Sequence, residues 1–116
     1  MNKQIVLNHE VYAFLNLEAD LLDQGKFEDW LKLYEEDGIY WIPSSPNQED
    51  MLGEVSIMLE DKQLLQLRVM RLAHPRAHAV NPHPSTIHLV GNVSADKDGE
   101  LVTAKSKLIM TEFRSD

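Results

Sequence analysis

The sequence predicts an α+β domain, with N-terminal helices packed on one face of an antiparallel sheet. Three observations carry that reading. Apolar residues recur at helical spacing near the start, two-residue alternation marks strands towards the end, and an Asp-Gly pair separates two of those strands as a hairpin turn. The chain has 116 residues, the size of a single domain spanning 1–116, and enough to bury a core.

From His9 to Leu22, Val11, Phe14, Leu15, Ala19, Leu21 and Leu22 form one apolar stripe, with Glu10, Glu18, Asp20 and Asp23 outside it. Gly25 suits the C-terminal cap of this helix. A second helix is expected from Phe27 to Glu36, with Phe27, Trp30, Leu31 and Tyr34 on one face and Glu28 and Asp29 in the first turn, where the macrodipole favours them. Asp37-Gly38 stops it. Ile39-Tyr40-Trp41-Ile42 is aromatic and β-branched, a short strand closed by Pro43, and Ser44 to Asp50 is a polar loop. Val55 to Leu59 suits a strand or the start of a helix. Asp61 to Leu72 favours helix, with Leu65, Val69 and Leu72 sharing a face, and Pro75 ends it.

Ala73 to Pro84 is rich in proline and histidine and is expected to be extended or turning. Thr86 to Ala95 reads as a strand, with Ile87, Leu89 and Val93 on one face and His88, Val90 and Asn92 on the other. Asp96-Lys97-Asp98-Gly99 is the hairpin turn, and Glu100 to Phe113 the returning strand.

Composition excludes several classes of function. Lys and Arg number 11 against 19 Asp and Glu, a formal charge of −8. Nucleic acid and anionic membranes both call for clustered cations, so neither is expected as a partner. The hydrophobic fraction of 43% and the charged fraction of 26% are ordinary globular values and exclude wholesale disorder. With no cysteine, the sequence offers no disulfide, thiol nucleophile or thiolate ligand for zinc or iron–sulfur centres, and it fits a reducing compartment. Met1 to Leu7 lacks the long apolar stretch of a secretory signal, and no run of about 18 apolar residues could span a bilayer, so a soluble cytoplasmic protein is expected.

The helix pair with Leu21-Leu22-Asp23 and Phe27-Glu28-Asp29-Trp30-Leu31 leads into Asp37-Gly38-Ile39-Tyr40-Trp41-Ile42-Pro43. Then follow Val55-Ser56-Ile57-Met58, Leu67-Arg68-Val69-Met70-Arg71-Leu72, and Asn81-Pro82-His83-Pro84-Ser85-Thr86-Ile87-His88-Leu89-Val90-Gly91-Asn92-Val93. In this order the segments resemble the small (beta) subunit of aromatic-ring-hydroxylating dioxygenases, and the resemblance covers nearly the whole chain. It implies the NTF2-like (SnoaL-like) cone fold and a structural, assembly role in aromatic compound catabolism. It also implies a large (alpha) subunit partner, which would carry a Rieske 2Fe–2S cluster and a mononuclear iron, together with contacts between copies of this chain. The resemblance implies a further β-hairpin completing the curved sheet, whereas this sequence stops at Asp116, so either a shortened or a truncated form lacking that hairpin is expected. The absence of cysteine agrees independently, because two ligands of a Rieske centre are thiolates.

No catalytic, cofactor-binding or metal-binding residue is therefore assigned to this chain. His74 and His78 are four apart, but Pro75 removes the helix that would hold them as metal ligands, and His83 between Pro82 and Pro84 reads as a loop residue. His78 and His88 with a carboxylate could be drawn as a non-haem iron site, but the resemblance places that iron in the large subunit. The alternative function is a stand-alone SnoaL-like isomerase or dehydratase, with Asp37, Tyr40 and His88 as its acid–base set, or an oligomer binding a small hydrophobic ligand. Against catalysis, Asp37 beside Gly38 is common turn chemistry. Arg68, Arg71 and Arg76 are a small cationic group in an acidic protein, suited to carboxylate pairing within the chain or across a subunit contact. With Trp41 and Phe113 they form the expected interface. Trp30, on the apolar stripe, is expected in the core.

Overall fold

The computed structural model describes residues 2–72 and 85–113. Its elements run α1 (Lys3–Asp23), α2 (Phe27–Leu31), β1 (Ile39–Ile42), β2 (Met58–Asp61), α3 (Lys62–Leu72), β3 (Ser85–Asp98) and β4 (Leu101–Phe113). They fall into two compact units. The first joins residues 1–26 to 83–116 and holds α1, β3 and β4; the second, 27–82, holds α2, β1, β2 and α3. Each unit sets helices against a two-stranded antiparallel sheet, β3–β4 in one and β1–β2 in the other. No helix among the described residues is long and apolar enough to cross a membrane.

In the first unit, α1 begins six residues earlier than the apolar stripe suggests, because the Asn2 side chain accepts from the Gln4 amide at 2.7 Å and caps the first turn. At the other end, Gly25 takes φ 72° while the Gly25 and Lys26 amides reach back to the Leu22 and Leu21 carbonyls, which is a Schellman ending. The helix lies antiparallel to β3 and is tied to it at both ends. Near its start, Gln4 Nε2 donates to the Ala95 carbonyl and Asn8 Oδ1 accepts from the Ala95 amide; at its end, Asp23 meets Thr86 and His88. The lengths agree. Asn8 to Asp23 rises about 22 Å along a helix, and His88 to Ala95 spans about 23 Å along a strand. The covered stripe runs through Leu7, Val11, Leu15, Ala19 and Leu22, of which Ala19 is buried and the others half-buried, while Phe14 points to solvent and Glu18 and Asp23 are half-buried, the reverse of the expected placement of these three.

The faces of β3 also correct the sequence reading. Strict alternation puts Val93 with Ile87 and Leu89, yet Ile87 and Leu89 face solvent and Val93 is half-buried. A bulge between Gly91 and Ser94, with Asn92 at φ 52°, absorbs an extra residue and exchanges the two faces, so that Ala95 comes inward at 2% exposure. The hairpin turn is tighter than expected: Asp98 pairs Leu101 around Gly99-Glu100, with Gly99 at φ 61°. Helix α1 packs on β3, and β4 is exposed along its whole length.

In the second unit, β1 forms where expected, pairing Ile39 to Asp61 through Ile42 to Met58. Helix α2 is a five-residue turn rather than a helix reaching Glu36, because the Leu33 and Tyr34 amides bond three residues back and tighten the chain towards Gly38. Trp30 is buried at 8% exposure, edge-on to Tyr34 (5.1 Å between ring centroids) and to Tyr40 (6.2 Å), and Leu65 and Val69 of α3 complete the core.

Candidate functional site

The most developed polar site of the first unit sits where α1 ends against β3. Asp23 closes the helix, and its carboxylate accepts three hydrogen bonds: Oδ1 from the Thr86 hydroxyl (2.9 Å), Oδ2 from the His88 amide (3.0 Å), and Oδ1 again at 2.5 Å from His88 Nδ1. Burial pushes the Asp23 carboxyl upward. The His88 amide and ring, the Thr86 hydroxyl and the imidazole charge outweigh it, and the pKa lies below the ordinary aspartate value. Both side chains are mostly covered. They line an open cleft of about 450 Å³ with Ala13, Asn16, Leu17, Ala19 and Asp20. In the neutral ring, an Nδ1–H donated to Asp23 leaves Nε2 as an acceptor, which is the arrangement of an oriented general base; in the imidazolium both nitrogens donate and the pair is an ion pair. The same carboxylate is also spent on the strand's amide and hydroxyl, which is the arrangement of a staple.

The second unit carries a different charged pair. Glu60, buried near the end of β2, receives Arg68 Nε on both oxygens (2.6 and 2.7 Å) and the Nη2 group as well. Hydrogen bonding to Glu60, and then its charge, raises the Arg68 pKa above the ordinary guanidinium value, so the residue stays cationic. Lys62 Nζ donates to the Tyr34 carbonyl (2.9 Å) and to Glu36 (3.2 Å), fixing the turn after α2. Asp37, Asp61 and Lys62 line a groove of about 720 Å³ beside α2 and α3.

The residues singled out in the sequence are thus dispersed. Asp37 is exposed at the turn into β1, Tyr40 packs its ring on Trp30, and His88 belongs to the other unit, where its carboxylate partner is Asp23. Trp41 is half-buried and donates Nε1 to Ser56 Oγ at 2.8 Å. Arg68 is held by Glu60, Arg71 is exposed in the last turn of α3, and Phe113 is exposed at the end of β4. Arg76, His74, His78 and His83 lie outside the described residues. No group of three or more His, Cys, Asp or Glu able to hold a metal ion occurs among the described residues. Sequence reasoning missed Asp23 and Gln48. The signal for Asp23 was its place in the last turn of a helix, where the macrodipole disfavours an anion unless something compensates it.

Antiparallel ladders with helices against them define an α+β protein. A model of the family described as ring hydroxylating beta subunits matches residues 17–116, and the chain belongs to that family. It is 38% identical over 90 residues to the small oxygenase component of the p-cumate 2,3-dioxygenase system of Pseudomonas putida, covering 76% of this chain and 50% of that one. It is 33% identical over 89 residues to the 2-halobenzoate 1,2-dioxygenase small subunit of Burkholderia cepacia, covering 72% and 54%. The crystal structure of the beta subunit of benzoate 1,2-dioxygenase from Burkholderia mallei is similar at a TM-score of 0.67 and 27% identity, over 90% of this chain and 76% of that chain. The chain spans about half the length of the two relatives named first. The NTF2-like α+β fold follows from this likeness.

Proposed function

We propose that this chain serves as the non-catalytic small subunit of a Rieske-type aromatic-ring-hydroxylating dioxygenase, a single NTF2-like domain that supports a large subunit bearing the iron centres. The family match over residues 17–116 carries the reading. The chemistry of the chain supports it: a Rieske cluster needs two thiolates, these 116 residues contain no cysteine, and the donor set does not fit that group. The relatives' names mention benzoates and p-cumate, which supports an aromatic carboxylate as the proposed substrate class of the complex. Trp41, Arg68, Arg71, Arg76 and Phe113 are the proposed subunit contacts, contacts between copies accompany those to the large subunit, and the complex is cytoplasmic.

The test is co-expression with the large subunit from the same source. The two chains should co-purify, and the large subunit should gain stability with unchanged iron content. A large subunit equally stable and active without this chain would overturn the reading. One observation favours a second reading, acid–base catalysis by the chain itself: His88, oriented by Asp23, faces an open cleft. His88→Ala separates the two. A staple predicts lost stability, whereas a general base predicts lost turnover with the melting curve unchanged.

A further inference from the structure

The segment between β1 and β2, residues 43–57, is a long connection for a two-stranded hairpin, and its interior is built around one polar side chain. Gln48 is 6% exposed. Its Oε1 accepts from the Ser44 amide (2.9 Å) and hydroxyl (3.1 Å), and its Nε2 donates to the Asp50 carbonyl, the Glu54 carbonyl and Ser56 Oγ. Trp41 ties Ser56 to the sheet, and the Asp50 carboxylate accepts from the Leu52 amide. The bonds of Gln48 and Trp41 lie in the part-buried interior of the loop, and the Asp50–Leu52 bond is on its exposed side.

What the loop presents outward is apolar. Leu52 and Val55 are each 87% exposed and Ile57 is 70% exposed. A connection that had only to close a hairpin would gain nothing from showing three large aliphatic side chains to water. Fixing them on an internally bonded scaffold removes ordering cost from a later association. Around them, Glu49, Asp50 and Glu54 are exposed, and no Lys or Arg occurs from Trp41 to Asp61. Two copies meeting through this loop would bring like charges together, so the surface favours a different chain whose apolar groove has a cationic rim.

We propose that the 43–57 loop is a preformed docking knob for the large subunit, with Leu52, Val55 and Ile57 entering an apolar groove and Glu49 and Glu54 meeting Arg or Lys at its edge. The proposal rests on the small-subunit reading above. Its test is titration of the purified large subunit with the full chain, as wild type and as Leu52→Asp/Val55→Asp, Glu49→Lys/Glu54→Lys and Gln48→Ala. The first pair should weaken binding by about tenfold or more, with the melting temperature kept because both side chains are exposed. The charge reversal should slow association, and added salt, which slows the wild type, should speed the variant because it screens a repulsion. Gln48→Ala should weaken binding although it leaves the contact side chains in place. Wild-type binding matched by all three variants would overturn the knob while leaving the small-subunit reading intact. Failure of the wild type to bind would overturn both, and a loss of self-association with large-subunit binding unchanged would assign the loop to a second copy instead.

Discussion

Asp23 joins the end of α1 to β3 through three hydrogen bonds. Asp23→Asn keeps the shape and removes the charge from three hydrogen bonds, and should cost about 1–3 kcal/mol in a urea titration at neutral pH. The pH dependence has a definite sign. Because the folded carboxyl has a lowered pKa, its contribution is fully present above the ordinary aspartate value of 3.8 and is lost as pH falls through the lower folded value. Wild type should therefore lose stability in that acid window more steeply than Asp23→Asn, and parallel curves would show that the staple carries no charge-dependent energy. Trp30→Ala, which empties the space between Tyr34 and Tyr40, should cost roughly 3–5 kcal/mol. A loss below about 1 kcal/mol would mean that the α2 packing has been misassigned.

At the scale of elements, two backbone positions decide where things begin and end. Gly25 holds the left-handed ending of α1, and Gly25→Ala should destabilise by about 1–2 kcal/mol, read from the melting midpoint. Asn92 holds the bulge of β3 at positive φ, which a β-branched residue resists. Asn92→Val should destabilise more than Asn92→Gly, and the reverse order would remove the bulge as the cause of the face exchange. These positions also explain what the sequence could show. The buried positions Trp30 of α2 and Leu65 and Val69 of α3 were legible because apolar spacing sets which side of a helix is covered, and the strand Ile39–Ile42 was legible from its β-branched and aromatic residues. The inward turn of Val93 was not, because one unpaired residue inverts a period of two without leaving a pattern. The partners of Asp23 and Gln48 were illegible for another reason: a polar side chain is buried only when groups distant in the fold or across a loop satisfy it, and although an anion in the last turn of α1 marks Asp23 as needing compensation, spacing carries no record of what supplies it.

At the scale of the whole chain, exposed apolar side chains gather on β3 and β4, where Ile87, Leu89, Ile109 and Phe113 face solvent beside strand edges unpaired among the described residues. Purified without a large subunit, the chain should self-associate, and light scattering at high micromolar concentration should give a mass above 13.3 kDa. A clean monomer would argue that the charge of −8 is enough to keep copies apart. The two-point attachment of α1 to β3 has a further consequence, which concerns time. Thr86 and His88 follow Asp23 by 63 and 65 residues, so at about 5–20 residues per second a ribosome finishes the helix some 3–13 s before its strand exists. During that interval Val11, Leu15 and Leu22 have no sheet to cover them. The nascent helix is a natural client for a chaperone, and a pause in translation between residues 26 and 85 should lower the yield of folded protein more than one placed after β4.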